Sequence, residues 1–169
     1  MITLSNILSI ARAPLALLFL IDNIPIRITS VILAMITDSI DGYFARKTKT
    51  ASKFGAILDP AMDKFYVYFV LAILIIEGKM KVWKSLAMIS RDFAVLIFSI
   101  YLLITKRHKS YELRAIRWGK VTTAMQFITI IAIASGYFFS WHIFVLFIIF
   151  GILSFIELFQ TKPSKTISH

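Results

Sequence analysis

Residues 38–63 read Asp38-Ser39-Ile40-Asp41-Gly42-Tyr43-Phe44-Ala45-Arg46, then eight residues, Gly55, three residues, Asp59, three residues and Asp63. Nine acidic residues occur in the whole chain, and four of them fall in this stretch. Asp38 and Asp41 are spaced i, i+3, and Asp59 and Asp63 i, i+4, so on helices each pair occupies one face. Apolar runs lie on either side. Two antiparallel helices joined by a short basic loop would bring the four carboxylates together at one shallow depth.

The surroundings say which solvent these helices meet. The chain of 169 residues is 59% hydrophobic, with 15 Phe, 6 Tyr and 3 Trp, and its mean hydropathy is +0.81. That exceeds the apolar share of soluble domains. Polar punctuation leaves about six apolar segments, each near the ~20 residues of a spanning helix. They run over about 4–21, 26–43, 52–77, 83–105, 120–137 and 141–159. Asp22-Asn23-Ile24-Pro25 reads as a tight turn whose proline ends one helix and starts the next. Glu77-Gly78 marks another exit. The expected fold is an all-α integral membrane protein with about six transmembrane helices, a single domain over residues 1–169.

Charge sets the orientation. Arg46, Lys47, Lys49 and Lys53 lie between the second and third segments. Lys106, Arg107, Lys109, Arg114, Arg117 and Lys120 lie between the fourth and fifth, and Lys162 and Lys165 in the tail. The other side holds Arg27, Lys79, Lys81 and Lys84, so the balance is 12 against 4. Basic loops stay cytoplasmic, which puts both termini and the acidic site on that side. Tyr137, Trp141 and His142 form an interfacial cluster opposite. The net charge of +10, in so apolar a chain, points to anionic lipid headgroups or phosphorylated substrates rather than nucleic acid. The chain has no cysteine, which excludes disulfides and thiolate chemistry. No secretory signal pattern precedes the first apolar run, which is expected to remain as an anchor.

Acids at membrane depth cost a few kcal/mol each, and four together repel. Helix caps and partners for nearby Lys and Arg are the bland explanation, adequate for any one of them. For all four, cations between the faces explain more. Two divalent ions balance four carboxylates, and oxygen ligands suit magnesium or manganese. Paired ions are an established device for phosphoryl transfer. Gly42, Ala45 and Gly55 leave room for a flat group beside the acids, although small residues also serve helix packing. Arg46 at the mouth suits a phosphate. Pro60 is expected to weaken or kink the third helix between its two acids.

Taken together, these residues resemble the signature D-x2-D-G-x2-A-R-x8-G-x3-D-x3-D of the CDP-alcohol phosphotransferase family at every fixed position. The resemblance implies that Asp38, Asp41 and Asp59 hold one metal ion, and that Asp38, Asp59 and Asp63 hold or approach a second, with the active site at the cytoplasmic end of helices 2 and 3. It implies Asp63 as general base on an acceptor hydroxyl. Gly42, Ala45, Arg46, Gly55 and Ser52 would line the site of the CDP-activated lipid. Asn6-Ile7-Leu8-Ser9 with Arg12 resembles the family's N-terminal element near the nucleotide, although Asn6 equally suits a helix cap. A homodimer is also implied.

Residues 58–64, Leu58-Asp59-Pro60-Ala61-Met62-Asp63-Lys64, resemble the segment found in the family's phosphatidylglycerophosphate synthases and cardiolipin synthases. Gly119-Lys120-Val121, with Thr123 and Gln126, and the pair Arg91-Asp92 are also similar to the synthases. The implied substrates are CDP-diacylglycerol and glycerol 3-phosphate. Arg91, Lys120 and one or more of Arg107, Arg114 and Arg117, helped by Thr37, would take the acceptor's phosphate. The loop arginines serve membrane orientation equally well. Ser39 and Thr122 depart from the usual pattern, which leaves phosphatidylglycerol, serine or inositol as other acceptors. A divalent-cation transporter would also cluster Asp between helices but has no need of Gly42, Arg46 and Gly55. A membrane prenyltransferase would need more helices. The expected location is a bacterial inner membrane.

Overall fold

In a computed structural model, residues 9–48, 55–104 and 117–160 are described. Among them are seven helices and no strands: α1 Arg12–Leu18, α2 Ile24–Thr48, α3 Gly55–Ile76, α4 Val82–Met88, α5 Ser90–Ile104, α6 Arg117–Ala134 and α7 Trp141–Gln160. They cluster into two compact units. The described residues within 1–80 and 129–138 form the first, and those within 81–128 and 139–160 the second.

In the first unit α1 packs on both α2 and α3. Its last turn tightens through i→i−3 bonds, Phe19 N to Ala16 O and Leu20 N to Leu17 O, each 3.1 Å. The turn expected at residues 22–25 follows. Asn23 Oδ1 accepts from Ile26 N at 3.2 Å and so caps α2, and Pro25 sits in the first turn, where its missing N–H costs nothing. One buried serine ties the three helices. Ser30 Oγ donates to Leu15 O at 2.6 Å, so at 3.0 Å it accepts from the Tyr66 hydroxyl. Ala16, Phe19, Val31, Ala34, Val70 and Leu74 are fully buried on the same three helices or at their ends. α3 is helical throughout, so Pro60 lies inside it as the sixth residue.

At the opposite end from the acidic motif, Arg27 is buried and fully partnered. Its Nη1 and Nη2 donate to the two oxygens of Glu77, the former at 2.8 Å. Its Nε donates to Ile21 O at 3.0 Å, and Asp22 Oδ1 stands 3.1 Å from Nη1. The ring of Phe19 lies 5.0 Å from the guanidinium carbon. This fork, the geometry arginine offers a carboxylate, joins the start of α2 to the exit of α3. The Arg27 bond, aided by Lys79, holds the Glu77 carboxyl below its ordinary pKa against the opposing effect of burial.

In the second unit α7 packs against α4 and α5. The fourth apolar segment, expected as one helix over 83–105, is two helices broken at Ile89. The cause is a side chain. Gln126 Nε2 donates to Met88 O at 3.1 Å, and Asp92 N bonds to Ile89 O at 2.9 Å instead of the carbonyl four residues back. A side chain inserted into the helical ladder produces such a kink. Nearby, Ser90 Oγ donates to Phe147 O at 3.1 Å, and a Cβ on Gly151 would lie 2.7 Å from Ser90 Oγ. α6 ends in a Schellman arrangement: Gly136 at φ 87, with Tyr137 N to Ala132 O at 2.9 Å and Gly136 N to Ile133 O at 3.0 Å.

The stretch Trp141–Leu158 of α7, with mean hydropathy 2.2, is long and apolar enough to cross a membrane, and 28% of it is buried within the protein. Gly119–Ala134 is a shorter apolar helix. Leu96, Ile97, Ile100 and Ile104 on α5, and Ile149, Ile152 and Ile156 on α7, leave large apolar side chains uncovered. Continuous apolar surface of this kind on a helical protein marks contact with lipid or another apolar partner.

Candidate active site

The acidic motif is carried by consecutive helices, as its spacing requires. Asp38 and Asp41 lie on α2, and Asp59 and Asp63 on α3. The described side chains are those of Asp38 and Asp63. Asp38 Oδ1 accepts from Arg12 Nη2 at 3.2 Å, and this arginine, presented by α1, is 1% exposed. Arg12 lies within the N-terminal stretch singled out by resemblance, and the structure gives it a definite partner in the motif. Asp63 is half-buried, with Oδ1 shielded from solvent. Thr37, next to Asp38, donates its hydroxyl to Ala34 O at 2.9 Å.

Asp41, Gly42, Ala45, Arg46, Gly55 and Asp59 lie on α2 or α3 with side chains outside the described set, and Asn6 and Ser52 lie outside the described residues. The donor set suits hard divalent cations, since carboxylate oxygens are their preferred ligands. Among the described residues no three His, Cys, Asp or Glu gather closely enough to hold an ion.

In the second unit the residues expected near an acceptor phosphate come together in part. Arg91, the second residue of α5, donates from Nη1 to Thr123 Oγ1 on α6 at 3.0 Å. Thr123 Oγ1 in turn donates to Gly119 O at 3.0 Å. Asp92, its chain neighbour, stands 3.9 Å from Arg91 Nη1, beyond hydrogen-bond reach. Lys120 is exposed on the first turns of α6. Arg117 starts that helix with its side chain outside the described set, and Arg107 and Arg114 lie outside the described residues. The Arg91–Thr123 contact spans 32 positions. Thr123 was visible only through resemblance, and no local spacing pairs it with Arg91.

The described residues are all helical, with one helix long and apolar enough to cross a membrane, which is consistent with a membrane protein. The chain belongs to the CDP-alcohol phosphatidyltransferase family, whose profile matches residues 1–156. Members of this family are generally dependent on divalent metal. The chain is 36% identical over 102 residues to a Bacillus subtilis (strain 168) protein, covering 60% of this chain and 51% of the relative. It is 36% identical over 126 residues to a Wigglesworthia glossinidia brevipalpis protein, covering 73% and 64%. It is 45% identical over 84 residues to a Cereibacter sphaeroides protein, covering 45% and 37%. Each of these relatives is named CDP-diacylglycerol–glycerol-3-phosphate 3-phosphatidyltransferase. The chain spans about half the length of the first curated relatives it matches.

Proposed function

We propose that this protein transfers the phosphatidyl group of CDP-diacylglycerol to the hydroxyl of glycerol 3-phosphate, releasing CMP and forming phosphatidylglycerophosphate. The observation that carries this reading is the complete eight-residue motif on α2 and α3, supported by relatives whose printed names describe this reaction.

Asp38, Asp41, Asp59 and Asp63 would hold two divalent ions, magnesium or manganese. When bound, these ions neutralise the diphosphate and spread the charge that develops on it. Arg12 fixes Asp38 from the side of α1. Asp63 takes the proton from the acceptor hydroxyl, whose oxygen then attacks the lipid-side phosphorus. The bond from that phosphorus to the CMP oxygen breaks, and CMP carries away the electron pair. Gly42, Ala45, Arg46, Ser52, Gly55 and Asn6 seat the CDP-lipid. Arg91, Lys120 and one or more of Arg107, Arg114 and Arg117 bind the acceptor's phosphate. Thr37 helps only if its hydroxyl leaves Ala34 O. Most of the acceleration comes from position and electrostatics.

The protein is a single transmembrane domain with about six spans, acting as a homodimer in a bacterial inner membrane. Both termini and the active site face the cytoplasm. The diacylglycerol tails stay in the bilayer while the headgroup reacts at its edge. The uncovered apolar faces of α5 and α7 support the membrane setting, and the 12 to 4 distribution of basic residues supports the orientation.

The test is CMP release from CDP-diacylglycerol by purified protein, with glycerol 3-phosphate, phosphatidylglycerol, serine and inositol supplied in turn. Release that requires glycerol 3-phosphate is the expected result. Release with a different acceptor alone would replace the proposed product, and release with none would contradict the reaction.

A further inference from the structure

Arg27 and Arg91, each bonded to a side chain on another helix or at its end, are held in opposite ways. Arg27 has carboxylate oxygens on both terminal nitrogens and a carbonyl on Nε. Its charge is neutralised and its role is to join helices. Arg91 has one short bond, to a neutral hydroxyl. Its Nε is buried and has no hydrogen-bond partner among the described residues, although burying an unmatched donor on a charged group is unfavourable. Part of the side chain stays open, at 23% exposure.

Its surroundings fix where this incompletely matched guanidinium lies. A Cβ on Gly119 would fall 2.8 Å from Arg91 Nη2, 3.0 Å from Nε and 3.1 Å from the central carbon. Any side chain there would push the guanidinium away. Thr123 acts on the other side. A hydroxyl has one proton, and that of Thr123 goes to Gly119 O, so a lone pair is what faces Arg91. Thr123 therefore orients the guanidinium without neutralising it, as Asp or Glu at that position would. A cation placed in this way, with the Asp92 carboxylate 3.9 Å from Nη1 and not hydrogen-bonded to it, suits a doubly charged anion such as a phosphate monoester.

We propose that Gly119 and Thr123 are positioning residues that set the Arg91 guanidinium for the phosphate of the acceptor. The inference rests on the reading above that Arg91 binds this phosphate. Together the two residues form a specificity device for phosphorylated acceptors: glycine makes the space, threonine fixes the angle, and both leave the charge intact.

The test uses the full chain in detergent or lipid, with the Michaelis constants for glycerol 3-phosphate and CDP-diacylglycerol measured separately. Thr123→Val and Gly119→Ala are expected to raise the constant for glycerol 3-phosphate on the order of 10-fold. The constant for CDP-diacylglycerol should stay at the wild-type value, and Thr123→Ser should restore acceptor affinity. In an Arg91→Ala background, Thr123→Val should add nothing further. Thermal unfolding identifies folded variants, and Thr123→Val carries the test if Gly119→Ala fails to fold. If Arg91→Ala weakens the acceptor and Thr123→Val does not, the positioning role is overturned and the Arg91 reading stands. If Arg91→Ala leaves acceptor affinity unchanged, that reading fails and the inference with it. Equal weakening of both substrates would show a general structural effect and would also overturn the proposal.

Discussion

Arg12 Nη2 stands 3.2 Å from Asp38 Oδ1, with the arginine buried and the carboxylate side chain 39% exposed. The pair ties α1 to the first acid of the motif. It also gives that carboxylate one fixed direction before any cation approaches. Residues that orient metal-binding carboxylates without touching the substrate commonly matter nearly as much as the ligands.

Arg12→Met should therefore reduce CMP release on the order of 10–100-fold at saturating metal. Arg12→Lys, which keeps charge but loses the planar fork, should fall between it and the wild type. Activity assays on variants with an unchanged unfolding transition check this. Equal activity in all three proteins would show that the pair is incidental.

The Arg27–Glu77 fork leads to a stability prediction. Glu77→Gln removes the charge opposite a buried guanidinium and should destabilise the protein by about 1–3 kcal/mol. The Glu77 pKa is lowered in the folded state, so its contribution is fully present above the ordinary glutamate pKa of about 4.3. It is lost as pH falls through the lowered folded value. Unfolding followed against pH should show an acid-side loss in the wild type that is smaller in Glu77→Gln.

Ser90 and Gly151 offer a packing test. Gly151→Ala places a methyl group 2.7 Å from Ser90 Oγ and 3.2 Å from Arg91 N. Overpacking of this kind costs roughly 1–3 kcal/mol. Adding Ser90→Ala removes the nearest clash and should recover part of the loss, since the backbone contact remains. Melting temperatures of the two single variants and the double variant provide the comparison.

Gly136→Ala tests a backbone requirement alone. Nothing lies within 4 Å of the added Cβ, but φ is +87, a conformation that disfavours L side chains by roughly 1–2 kcal/mol. A modest drop in stability with unaltered CMP release is expected. A large loss of activity would place an unrecognised role at the end of α6.

The parts of the fold legible in the sequence were those set by local chemistry. Pro25, Asn23 and Gly78 stand at turns for reasons that involve only their neighbours, and the helical spacing of the four Asp holds on α2 and α3. The break at Ile89 was not legible, because it depends on Gln126 reaching Met88 O across 38 positions. The first segment read as one run from residue 4 to 21, yet the structure has a turn at Ala11 before α1. Arg27 counted in the sequence only as a charge on the far side of the membrane. Its partner Glu77 is 50 residues away, and no periodicity relates them. The motif acids were legible as a group, whereas the support given by Arg12 to Asp38, and by Thr123 and Gly119 to Arg91, emerges only from tertiary packing.

The most direct test is metal-dependent CMP release from CDP-diacylglycerol and glycerol 3-phosphate, comparing the wild type with Asp63→Asn. Chelated wild-type protein should release no CMP, added magnesium or manganese should restore release, and Asp63→Asn should stay inactive at any metal concentration while remaining folded. Release that survives both chelation and the Asp63→Asn substitution would contradict the assignment of phosphatidyl transfer to the four-aspartate motif.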